Sequence, residues 1–197
     1  MAVLLVGCVA PVTRGVVAPK QSDDVPRYHG IVQERPYVLP AMTLTDRSGQ
    51  PFNVRTSPSR PVTLITFGYA ACAYGCADTL IDLAETIRTL PADIRDDLTV
   101  VVIDLADSTT KGERRQFHAW LKRTDPHFLG LTGPGEQVHQ LARDLGVEVH
   151  HDAHGALLHG DQILGFDRKR AGVLVWTADM SVEHLAQDLQ LLVACQR

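Results

Sequence analysis

The chain contains no uninterrupted apolar run of about 18 residues or more, so no stretch of it reads as a complete transmembrane helix. A basic excess is also missing. Lys and Arg total 19 against 23 Asp and Glu, a formal net charge of −4 at pH 7. That balance argues against nucleic acid as the main partner, because binding phosphates needs a basic face. Cysteine is scarce, with four in 197 residues. These are too few for a disulfide framework, so each has to be judged singly. No internal repeat or low-complexity tract is visible. What remains is an ordinary globular composition, 45% hydrophobic and 21% charged, with enough length to bury one proper core.

The N-terminus "MAVLLVGCVAP" is apolar up to Cys8, and "LVGC" (Leu5 to Cys8) matches the lipobox of bacterial lipoproteins. There the signal is cut before the cysteine, whose sulfur is lipidated. Only seven residues precede Cys8 and none is Lys or Arg, so residues 1–8 read as a truncated export signal. Residues 9–36 are rich in Pro, Gly and polar residues without periodicity, the pattern of a flexible tether. The expected domain is therefore 37–197. It would be lipid-anchored through Cys8, or secreted, on the periplasmic side of a bacterial cytoplasmic membrane.

Within the domain, "AMTLTDRSGQPFNV" alternates on each side of a turn containing Gly49, which predicts a β-hairpin. "PVTLITFGY" and "LTVVVIDLA" are β-branched runs, predicting buried strands. Leu80, Leu83, Ala84, Ile87 and Leu90 recur at the spacing of one helix face. Further helices are predicted over "KGERRQFHAWLKR", "GEQVHQLARDLGV" (stopped by Gly146) and "SVEHLAQDLQLLVA" (Ser181 as N-cap). "HFLGLTG" predicts a strand and "QILGFDRKRAGVLVW" a second hairpin. "EVHHDAHGALLHGD" reads as polar, His-rich and irregular. This order predicts an α/β thioredoxin-like fold: a central mixed sheet with helices on both faces and an N-terminal β-hairpin.

The stretch "FGYAACAYGCADTL" holds Cys72 and Cys76. If a helix has begun by Cys72, their Cα atoms lie about 6.2 Å apart on one face. Both a reversible disulfide and a shared metal ion are compatible with that distance. A helix N-terminus favours thiolate in either role. Burial as small core residues is the third reading, weakened by the flexible Gly68 and Gly75. Choosing a metal needs another ligand, and His150, His151, His154 and His159 fall within ten residues. Two thiolates and one imidazole suit Cu(I) better than zinc, whose structural sites take four ligands. His150, His151 and His154 read as solvated rather than ligating. Cys195, near the end of the last helix, reads as packed or idle.

At "TFGYAACAYGCADTL" the chain resembles the SCO/SenC copper chaperones, similar to their F-F-G-Y-T-x-C-P-D-x-C-P-x-T-L, with Phe67, Gly68, Tyr69, Cys72, Cys76, Thr79 and Leu80 in place. "RTDPHFLGLTG" and "LTDRSGQPF" also look like family segments, and His159 and Asp167 keep the family's spacing in "HGDQILGFD". The resemblance covers about residues 37–193. It implies a thioredoxin fold and Cys72, Cys76 and His159 as ligands of copper, as Cu(I) with Cu(II) left open. The implied partner is the dinuclear copper centre of cytochrome c oxidase subunit II, or another copper protein. The alternative is a thiol–disulfide oxidoreductase with Cys72 and Cys76 as its catalytic pair. The chain departs from the family pattern at Ala73 and Ala77 (for Pro), Tyr74 (for Asp), and Leu158 and Gly160 around the histidine. "IDLADSTTKGE" also blurs the family's acidic D-x-x-x-D-T-P segment.

Overall fold

The computed structural model describes residues 28–70, 76–108 and 110–197, and only the backbone of Cys76. Its central element is Val62–Gly68 (β4), buried at every position. A run of Val, Leu, Ile, Thr and Phe suits a strand covered on both faces. Leu98–Asp104 (β5) lies parallel to it, with Val62 opposite Leu98 and Gly68 opposite Asp104. Leu129–Leu131 (β6) continues the parallel half. On the other side Ile163–Phe166 (β9), Gly172–Trp176 (β10) and Ile31–Val32 (β1) add antiparallel strands. The sheet order is β1-β10-β9-β4-β5-β6.

Alternation along the central strands separates two apolar layers. Val62, Leu64, Val100 and Val102 face helices Cys76–Thr89 (α1), Lys111–Thr124 (α3) and Val182–Ala194 (α5), burying Leu80, Leu83, Phe117, Leu121, Leu185 and Leu189. Ile65, Phe67, Val101 and Ile103 face Gly135–Asp144 (α4) and the hairpin Thr43–Thr45 (β2) with Pro51–Asn53 (β3). Each fully buried aliphatic side chain contributes roughly 1.5–3 kcal/mol. The expected mixed sheet, two-sided helices and N-terminal hairpin are all present. So is the predicted cap, with Ser181 Oγ accepting from the His184 N–H at 3.2 Å. Gly146 leaves α4 with φ of +72°, a conformation that favours glycine.

Four features differ from expectation. The "EVHHDAHGALLHGD" stretch, expected to be irregular, forms an antiparallel hairpin of Val149–His151 (β7) and Leu157–His159 (β8). Asp152 closes its turn, its Oδ1 accepting from the N–H groups of His154 and Ala156, both at 2.8 Å. Residues 28–36, expected to belong to the tether, are docked: β1 pairs with β10, and Asp188 accepts from the N–H groups of His29 and Gly30. Ala92–Asp96 (α2) is an additional short helix after Pro91. Cys195 is disulfide-bonded, which corrects its reading as an idle thiol.

Candidate metal centre

β4 ends at Gly68, and Tyr69 and Ala70 lead out of the carboxyl edge of the sheet. Cys72 and Cys8 lie outside the described residues, and so does the thiol of Cys76. The backbone of Cys76 opens α1. Of the predicted shared helix face, only the second member, Cys76, lies in a described element. Asp78 in the first turn and Arg88 in the last complement the helix dipole.

His159 ends β8 and presents its ring beside this exit. Its side chain is only 3% exposed, although its strand lies near the surface. The ring meets Tyr69 edge-on, with centroids 6.1 Å apart at 67°. Tyr69 in turn donates its hydroxyl to the Leu157 carbonyl at 2.7 Å, tying the strand that leads into the cysteine segment to the hairpin that carries the histidine.

The histidine's own bonds decide what it can do. Nδ1 lies 2.9 Å from the Gly160 carbonyl oxygen. A carbonyl can only accept, so Nδ1 carries the proton and, in the neutral ring, Nε2 holds a bare lone pair. Asp161 Oδ1 stands 3.6 Å from the same Nδ1 and reinforces that tautomer. Nε2 is buried and has no hydrogen-bond partner among the described residues. An orphaned buried acceptor is costly, and its presence calls for an explanation. A metal ion supplies one, because a ligating imidazole commonly uses one nitrogen for the metal and donates from the other to a carbonyl or carboxylate.

The other members of the histidine cluster are not arranged this way. His150, His151 and His154 are exposed, on the outer part of the hairpin and its turn. Asp167 sits at the far end of β9, where its carboxylate closes the next turn by accepting from the N–H groups of Lys169 (2.8 Å) and Ala171 (2.9 Å). Its spacing from His159 therefore measures one strand rather than a contact. Among the described residues, no group of three or more His, Cys, Asp and Glu is placed to hold a metal.

Sequence reasoning passed over Asp104. It ends β5 opposite Gly68 and is 1% exposed. Burial pushes its carboxyl up from the ordinary 3.8 to about 6, opposed by bonds from Ser108 Oγ (2.6 Å) and the Ala106 N–H (3.2 Å). The available signals were an Asp ending an apolar strand and its place in "IDLADSTTKGE", where the family's acidic segment is too blurred to single it out.

Known proteins agree with this architecture. The SCO1/SenC family model matches residues 32–194. A protein of Stutzerimonas stutzeri named for copper binding is 33% identical over 113 residues, 57% of this chain and 54% of its own length. The chain thus spans about half the length of that curated relative. The solution structure of apo Sco1 from Thermus thermophilus superposes with a TM-score of 0.72 at 23% identity, covering 84% of this chain and 97% of that one. Copper-bound yeast Sco1 gives 0.69 at 19% identity, covering 81% and 90%. With strand order, helix placement and family match in agreement, the chain belongs to the SCO1/SenC family and has its thioredoxin-like fold.

Proposed function

We propose that the protein is a copper-binding metallochaperone in which the thiolates of Cys72 and Cys76 and Nε2 of His159 hold the ion. The observation that carries this reading is the buried Nε2, unpartnered among the described residues, its tautomer set by the Gly160 carbonyl. Two soft thiolates with one imidazole suit Cu(I), and Cu(II) is a second candidate cargo. The copper-binding name of the S. stutzeri relative and the copper held by yeast Sco1 support the choice of metal. The recipient is a cytochrome c oxidase subunit II, at its dinuclear copper centre, or another copper protein. A homologous fold from a Sco protein described with the cytochrome c oxidase assembly proteins supports that direction.

Delivery would take place outside the cytoplasmic membrane. Attachment would come from lipid on Cys8, with the stretch after it as tether; among the described residues no helix is long and apolar enough to cross a bilayer. A Bacillus anthracis lipoprotein of similar fold supports this arrangement. Palmitate labelling lost on Cys8→Ser is the expected result.

The decisive experiment titrates Cu(I) anaerobically into the reduced protein. His159→Ala should weaken binding by roughly 100-fold or more, since losing a direct ligand outweighs losing an outer hydrogen bond to one. His151→Ala and His154→Ala should change nothing. The reverse pattern would sink the assignment.

A thiol–disulfide reductase with Cys72 and Cys76 as its catalytic pair is the second reading, supported by a Sco-family protein of similar fold described with a disulfide switch. Reduction of insulin disulfides by a protein that fails to bind copper would select it.

A further inference from the structure

A cavity lies at the end of the sheet away from the candidate metal centre. β5 begins there, at Leu98, six residues before its Asp104 terminus, so about 20 Å separate the two ends. The cavity has a volume of about 780 Å³, within the range of small-ligand sites. Leu98, Val100, Phe128 and Leu129 give it an apolar floor, and Arg47, Arg60, Arg88 and Arg95 stand around it.

These four arginines come from four separate segments: the β2–β3 turn, the stretch before β4, the last turn of α1, and α2. Cations in the last turns of α1 and α2 also complement helix dipoles. That accounts for Arg88 and Arg95 singly, but not for their convergence with Arg47 and Arg60. Among the described residues none of the four is in an ion pair. Arg60 is held in place by donating through NH1 to the carbonyls of Arg95 and Leu98, both at 3.0 Å, which leaves its other donors uncommitted. The opposing carboxylates are Asp96 and Asp125, and Oδ1 of Asp125 already meets the N–H of His127 at 2.8 Å and its Nδ1 at 3.0 Å. Four cations against two anions leave a local surplus of two positive charges, in a chain whose formal net charge is −4.

We infer that this cavity binds a phosphate ester carried on an apolar or aromatic body. Guanidinium forks match pairs of phosphate oxygens, which a point charge does not. The apolar floor gives an organic ester an advantage over the bare ion. A soluble ester and the headgroup of an anionic phospholipid share this chemistry.

The test follows backbone amide resonances of the full chain during titration with phenyl phosphate, inorganic phosphate, and vesicles of phosphatidylcholine with or without phosphatidylglycerol. Phenyl phosphate is expected to shift residues 87–100 and 124–129 saturably and to bind more tightly than inorganic phosphate. Arg88→Gln/Arg95→Gln should weaken it about tenfold or more, the equivalent of one strong charge-assisted contact. Arg55→Gln/Arg115→Gln, the same charge change elsewhere on the surface, should leave it unaltered. Shifts of the same residues with phosphatidylglycerol vesicles alone would identify a headgroup as the ligand. Shifts with phenyl phosphate alone would identify a soluble ester. The inference is overturned if no probe gives saturable shifts there, or if the control variant weakens binding as much as the cavity variant. Copper binding is read separately, so failure here leaves the metal assignment untouched.

Discussion

The indole Nε1 of Trp176 donates to Asp188 Oδ2 at 2.8 Å, and both side chains are fully buried. The same carboxylate accepts from the N–H groups of Gly30 (2.7 Å) and His29 (2.9 Å). One α5 side chain thus joins a strand of the sheet to the segment entering β1. Asp188→Asn puts an amide N–H₂ among groups that can only donate. The expected loss is about 1–3 kcal/mol, measured by urea unfolding, with faster proteolysis near residue 30.

Asp104 sets a pH dependence. Its folded carboxyl is raised to about 6 from 3.8, so the folded state holds the proton more tightly than the unfolded chain. The cost of the buried carboxylate is fully present above about pH 6 and disappears as pH falls toward the unfolded value. At about 1.4 kcal/mol per pH unit the effect is at most about 3 kcal/mol. Unfolding free energies from pH 4 to 8 should show this loss on the alkaline side, and Asp104→Asn should flatten it.

Tyr69→Phe removes the hydroxyl that bonds the Leu157 carbonyl and keeps the ring that meets His159. Stability should fall by about 0.5–1.5 kcal/mol. Cu(I) affinity should fall less than in His159→Ala, because the proposed ligand survives and only its support loosens. An equal loss in both variants would make Tyr69 more than a support.

Gly165 lies against Trp176. A Cβ there would come 2.8 Å from Cζ3 and 2.9 Å from Cη2 of the indole. The ring is fully buried and bonded to Asp188, so it has little room to yield. Gly165→Ala should destabilise by about 1–3 kcal/mol, seen as a lower Tm and altered tryptophan emission.

The strands and long helices were legible because their patterns are long. Val62–Gly68 and Leu98–Asp104 are sustained β-branched runs, and Leu80 to Leu90 keep a helical period through several turns. β7 and β8 were not, since three-residue strands show too little alternation, and their turn depends on one Asp carboxylate. β1 was hidden for a different reason: its anchor is Asp188, 158 residues away from Gly30, and a single acid within an amphipathic helix looks solvent-facing. At the candidate centre, the resemblance to a family segment, which keeps the spacing of His159 and Asp167, singled out His159 from its neighbours. The bare Nε2, the bond to Gly160 and the burial of Asp104 depend on tertiary placement, which no local pattern encodes.

The bond from His159 to Gly160 also bears on proton bookkeeping. With Nδ1 committed and Nε2 already bare in the neutral ring, an incoming electrophile meets an electron pair and displaces no hydrogen from the imidazole. Protons released on loading would therefore come from sulfur. Calorimetry in buffers of different ionisation enthalpy would count the thiols that arrive protonated.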